Sequence, residues 1–138
     1  MKVGFTCGAF DLLHPGHLIM LRQCKEQCDW LIVGLHTDPT IDRPEKNKPI
    51  QTVYERWVQL NACTYIDTVV PYDTENDLCN MMATLDMNIR FVGADHRNDY
   101  ITGQQICESR KIKIIFNDRY HDYSSSELRE RINDSRNS

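Results

Sequence analysis

Gly8-Ala9-Phe10-Asp11-Leu12-Leu13-His14-Pro15-Gly16-His17 joins a short apolar run to a helical pattern, and its reading decides the fold. Upstream, Val3, Phe5 and Cys7 alternate as a β-strand over residues 2–7 does. From Leu18 onward, Met20, Leu21, Cys24 and Cys28 recur at helical spacing. The ten residues are therefore a strand-to-helix turn. Gly8 and Gly16 admit positive φ or close backbone approach on its two sides, and Pro15 presets φ for the start of a helix. His14 and His17 stand at that helix N-terminus, where unpaired N–H groups and a partial positive charge suit a phosphate. Two imidazoles flanking a glycine in a polar turn do not fit a packed core position.

Working outward, residues 29–35 are almost continuously apolar, as in a strand buried on both faces of a parallel sheet. Strand, helix and strand make one right-handed βαβ unit, closed by His36-Thr37-Asp38 at the carboxyl edge of the sheet, where ligands of open α/β folds bind. Residues 39–52 carry Pro39, Pro44 and Pro49 without periodicity and read as a functional loop or linker. A helix is predicted over 53–63, with Thr52 and Glu55 as a capping box. Strands follow at 66–70, 89–93 and 112–116, with helices at 77–86 and 101–110. Ser124 to Glu127 has the S-x-x-E form of a second capping box before a last helix. The whole is a single doubly wound, Rossmann-like α/β domain over residues 1–132 with a five-stranded, mainly parallel sheet, and a polar tail over 133–138.

A chain of 138 residues with 41% hydrophobic residues suffices for one core. The net charge of -4 and the absence of a Lys/Arg run exclude a basic field for nucleic acid, so any phosphate must be held by a few placed cations. No apolar run approaches the roughly 20 residues of a membrane span, and residues 2–8 are too polar for a signal-peptide core. A cytoplasmic protein is expected. The six cysteines form no C-x-x-C pair. Cys24 and Cys28, four apart on one helix, read as packing thiols in preference to metal ligands.

The ten-residue turn resembles the H-x-G-H signature of the nucleotidyltransferase superfamily. It is most similar to the cytidylyltransferase branch, and there to the glycerol-3-phosphate cytidylyltransferases. Tyr54-Glu55-Arg56 resembles the family's Tyr-x-Arg element. Gly93-Ala94-Asp95-His96 occupies the place of its Gly-Asp-Asp-Trp, and Arg119 with Ser124, Ser125 and Ser126 that of its Arg-Thr-x-Gly-Ile-Ser-Thr-Thr segment. Ala94, His96, Tyr120 and Asp122 depart from the pattern.

The resemblance implies cytidylyl transfer from CTP to a small phosphorylated alcohol, glycerol 3-phosphate being the nearest, with release of pyrophosphate. It assigns catalysis to His14, His17, Lys46 and Arg119. Nucleotide binding falls to Gly8, Ala9, Phe10, Gly16, Arg56, Asp95 and Ser124–Ser126, and acceptor binding to Asp11, Lys48, Tyr120 and Asp122. Lys46 and Lys48 read from composition alone as a solvated loop. A carboxylate at Asp122 favours hydroxyls or an amine on the acceptor over a further acid. Mg²⁺ is expected to bridge phosphates, with Asp11 or Asp95 as candidate oxygens. A homodimer is implied, with Trp57, Tyr65 and Tyr72 as an apolar hint. An adenylyltransferase acting on a sugar phosphate, or a nucleotide-binding regulatory module, are the alternative readings.

Overall fold

The apolar run after the first helix forms a strand that pairs in parallel with the N-terminal one from Val3↔Trp30 to Gly8↔Leu35. The computed structural model describes residues 1–118 and 124–137. Arg119, Tyr120 and Asp122 therefore lie outside the described residues. The elements are β1 (Val3–Gly8), α1 (Pro15–Glu26), β2 (Trp30–His36), α2 (Val53–Asn61), β3 (Thr68–Tyr72), α3 (Glu75–Thr84), β4 (Ile89–Gly93), a 3₁₀ turn (Ala94–His96), α4 (Gln104–Ser109), β5 (Lys113–Asn117) and α5 (Ser125–Asn137). Every strand pair is parallel, in the order β3-β2-β1-β4-β5. The winding reverses between β1 and β4, so a crevice opens at their carboxyl ends.

Alternation within β2 sends Leu31, Val33 and Leu35 to one face, where they pack against Leu21 and Cys24 of α1 and Leu60 of α2. Ile32 goes to the other, with Phe5, Tyr72, Leu78 and Met82 of α3 and Cys107 of α4. Helices thus cover both faces, which is why β2 reads as unbroken apolar sequence.

Local chemistry moves several boundaries. The Thr74 hydroxyl accepts the Asp77 N–H and the Asp77 carboxylate accepts the Thr74 N–H, each at 3.1 Å, so α3 starts at Glu75 and not at residue 77. β3 lies two residues later than predicted and includes Pro71, which the sheet tolerates because β3 is an edge strand. Gly103, at φ 82°, delays α4 to Gln104. α5 continues to Asn137, through residues that read as a tail, with an Arg131–Glu127 ion pair along it. Tyr72, expected on a dimer-forming side, is instead buried in the second core. Cys24 is fully buried beside Asn117, and burial pushes its thiol up to about 12, consistent with a packing role.

Candidate active site

Between β1 and α1 the chain turns with left-handed backbone at Phe10 and Leu12, φ 51° at each, whereas neither Gly8 nor Gly16 has positive φ. The conformational burden expected of glycines is carried by two larger residues. Burial of Phe10 and a 2.9 Å bond from the Leu12 N–H to the Gln51 amide oxygen hold them there.

The two histidines cap the helix reciprocally. His14 is the N-cap, and its Nδ1 accepts the Gly16 N–H at 3.0 Å; the His17 Nδ1 accepts the His14 N–H at 3.1 Å. This is a capping box in which imidazoles replace the usual hydroxyl and carboxylate. Pro15 has no N–H, and the N–H groups of His17 and Leu18 go to the His14 carbonyl. The first turn therefore keeps no backbone donor for phosphate, contrary to the sequence expectation, and its positive end is presented through the rings. A neutral imidazole that accepts at Nδ1 carries its proton on Nε2, so both rings are set as Nε2–H donors. Their centroids lie 3.8 Å apart.

Three cavities meet at this turn. One of about 420 Å³ is lined by His14, His17, Asp95, Asn117, Ser124 and Ser125. A second of about 320 Å³ shares His17 and Ser125 and adds Ala9, Phe10, Asp11, Lys46 and Arg129. A third of about 620 Å³ shares Gly93, Asp95 and Asn117 with the first and is lined deeper by Thr6, His36, Tyr72 and Arg90. The histidine chamber thus lies between a chamber with two cations and a roomier one of mixed lining.

Asp11 holds this arrangement together and is not open to an acceptor or a metal. Its two oxygens accept the N–H groups of Ile50 and Gln51 at 2.9 Å each, and Oδ2 also receives Arg129 at 2.7 Å. The Ser125 hydroxyl donates to the Asp11 carbonyl at 2.6 Å, docking the start of α5 on the turn. Ser124 accepts the Glu127 N–H at 3.0 Å, as its capping motif predicts. Ser126 is exposed and lines none of the three cavities.

Arg56 differs most from expectation. It is 2% exposed. Its Nη1 donates to the carbonyls of Ala9 and His36, Nη2 to Thr37, and Nε is shared between Gln51 and Thr52, at 2.7–3.3 Å. The fork expected on phosphate oxygens ties the ends of β1 and β2 to the start of α2 instead. Burial lowers its pKa, opposed by the nearby charges of Asp11 and Asp38, and the guanidinium stays cationic. Of the two loop lysines, Lys46 lines the chamber with His17, while Lys48 is exposed and lines none of the three.

Sequence reasoning missed Arg129, Arg90 and Asn117. Arg90 had a signal, a charge inside the apolar strand Ile89-Arg90-Phe91-Val92. Arg129 had none, since an arginine on a terminal amphipathic helix is ordinary. For Mg²⁺, no described residues form a cluster of three or more metal-binding side chains. An Mg²⁺ ion carried by substrate phosphates takes one or two protein carboxylates. Asp95, exposed between two chambers, fits that part, and Asp11 does not.

Residues 5–131 match the profile of the family described as cytidylyltransferase-like. Among curated proteins, the chain is 35% identical to the bifunctional protein HldE of Hyphomonas neptunium over 83% of its length. It is 33% identical to HldE of Paramagnetospirillum magneticum over 96%. It spans only 24% and 27% of those two proteins. The fold is shared with a lipopolysaccharide core biosynthesis protein from Thermoplasma volcanium, at TM-score 0.74 and 23% identity over 88% of this chain and 99% of that one. It is also shared with a pantothenate synthetase from Thermus thermophilus, at TM-score 0.65 and 10% identity over 95% and 64%. With the reciprocal H-x-G-H cap at the switch point of an all-parallel sheet, the chain belongs to the cytidylyltransferase-like family of nucleotidyltransferases.

Proposed function

We propose that this protein transfers an adenylyl group from ATP to a sugar phosphate and releases pyrophosphate. The observation that carries the reading is the pair of Nε2–H donors, fixed by reciprocal Nδ1 bonds, in a chamber between one with Lys46 and Arg129 and a larger one. At neutral pH a phosphate monoester, with its second pKa near 6, is largely a dianion, so the acceptor needs no base to attack the α-phosphorus. What the transition state needs is donors for charge gathering on the equatorial oxygens and on the departing pyrophosphate. His14 and His17 serve the α-phosphoryl group. Lys46, Arg129 and the positive end of α5 serve the leaving group. Mg²⁺, where bound, neutralises phosphate charge, with Asp95 the carboxylate placed to assist.

The expected cytidylyl donor and glycerol 3-phosphate acceptor give way to the adenylyl alternative on two grounds. Relatives aligned over most of the chain include HldE proteins, a kinship that favours adenylyl transfer to a sugar phosphate. The cavity on the acceptor side, about 620 Å³, has the size of pockets for larger ligands than a three-carbon phosphate. Mass spectrometry of the products formed from ATP or CTP with a panel of sugar phosphates tests the proposal. An ADP-sugar supports it; a CDP-linked product in its place overturns the choice of donor.

A further inference from the structure

Arg90 occupies the middle of β4, paired with Phe5 of β1 on one side and Ile114 of β5 on the other, and is 4% exposed. Its guanidinium donates to the Thr102 carbonyl. No carboxylate of a described residue lies within 4.0 Å of it. Of the three carboxylates that line the same cavity, Glu75 pairs with Arg43 at 2.6 Å, Asp99 with His96 at 3.3 Å, and Asp95 is exposed. A buried cation is costly unless its donors and charge are satisfied; carbonyls of five residues do this for Arg56, whereas Arg90 has the Thr102 carbonyl alone, which leaves donors for a ligand in the cavity. In the same cavity, at the carboxyl end of β2, the His36 ring stacks on Tyr72 at 4.7 Å, and its buried Nε2 has no hydrogen-bond partner. Burial lowers the pKa of that ring, so it stands there as a neutral imidazole able to bond a hydroxyl.

Depth decides which part of an acceptor these groups meet. Phe5, level with Arg90, lies three positions before the end of β1 at Gly8, about 10 Å below the sheet edge at 3.3 Å per residue. The histidine turn lies beyond that edge. Arg90 lines the roomiest of the three cavities and neither of the two that the histidines line, so a phosphate reacting at the histidines is not the group that reaches Arg90, and the distal end of the acceptor is.

Resting on the reading of the site as a sugar-phosphate nucleotidyltransferase, we infer that the acceptor carries a second anionic group, a carboxylate or a second phosphate, distal to the reacting phosphate. Arg90 receives that group as a planar fork, and His36 bonds a hydroxyl nearer the sheet edge. This reverses the expectation drawn from Asp122, which lies outside the described residues.

The test is calorimetric binding to the full chain without nucleotide, comparing glucose 1-phosphate, glucose 1,6-bisphosphate and glucuronic acid 1-phosphate. At least one of the two dianchored ligands binds tenfold or more tightly than the monophosphate, and which one distinguishes phosphate from carboxylate. R90Q loses that preference. R90K, which keeps a cation, retains part of it and covers the case in which R90Q does not fold. Equal affinities in the wild type, no binding of any of the three at millimolar concentration, or an undiminished preference in R90Q overturns the inference. Because no turnover is read, failure of the nucleotidyl-transfer reading shows separately, as absence of pyrophosphate release with every donor.

Discussion

Arg129 donates to the Asp11 Oδ2 at 2.7 Å, joining the last helix to the turn after the first strand across 118 positions of sequence. The same carboxylate receives Ile50 and Gln51, so three segments that bear site residues meet on one side chain. With Asp11 only 5% exposed, Asp11→Ala leaves two backbone N–H groups and a guanidinium without their acceptor. Hydrogen exchange of the amides of residues 46–51 accelerates in D11A, while exchange in β2 and β4 stays unchanged. Equal protection in D11A and wild type would show that the loop is held by other contacts.

The reciprocal cap separates the structural and chemical duties of the histidines. His14→Asn keeps an acceptor near the Nδ1 position but lacks the Nε2 donor. It retains the wild-type Tm within a few degrees and lowers kcat about 10²-fold or more. His14→Ala loses the cap as well, at about 1 kcal/mol of stability. Comparable turnover in H14N and wild type would remove His14 from the chemistry.

Arg56 is predicted to be a residue of stability. Arg56→Met removes the side-chain donor to carbonyls of five residues, of which Thr52 keeps the Arg56 N–H, and lowers Tm by about 5–10 °C, from a loss of about 2–3 kcal/mol. A phosphate ligand would behave otherwise, raising the KM for the nucleotide with Tm unchanged. Thermal melts alongside kinetics read the difference.

Asp67 gives the acid limb of stability. Burial raises its pKa, but the hydrogen bond from Lys25 at 2.7 Å, the Leu31 N–H and the Lys25 charge outweigh that and hold it below the usual range. A depressed carboxylate contributes stability fully above its unfolded value of about 3.9, lost as pH falls through the folded value. Lys25→Met should shrink the drop in unfolding free energy below about pH 4 and leave its shape at higher pH unchanged. An acid limb of equal size in K25M would assign it to other carboxylates.

Period and punctuation made the sheet legible. Alternation in β1, the apolar run of β2 and the turn between them fix a parallel βαβ unit, and its repetition fixes the rest. The histidine turn was legible as a site for the same reason, since its position follows from the strand before it and the helix after it. How its residues share the work was not. Whether Arg56 reaches outward to phosphate or inward to carbonyls depends on how the ends of β1 and β2 meet α2, a long-range relation that no local pattern encodes. Asp11 likewise reads as a ligand from sequence, because its partners Ile50, Gln51 and Arg129 lie 39, 40 and 118 positions away. Gly8 and Gly16 misled because packing of Phe10 and the Gln51 bond to Leu12 impose left-handed backbone on residues that rarely adopt it alone.

The most direct measurement is pyrophosphate release by the purified chain with Mg²⁺, comparing ATP and CTP as donors and a sugar phosphate panel against glycerol 3-phosphate as acceptors. The account predicts release that requires both nucleotide and acceptor, is faster with ATP than with CTP, and is faster with a sugar phosphate than with glycerol 3-phosphate. Release with CTP and glycerol 3-phosphate at the highest kcat/KM, or none with any pair, would contradict it.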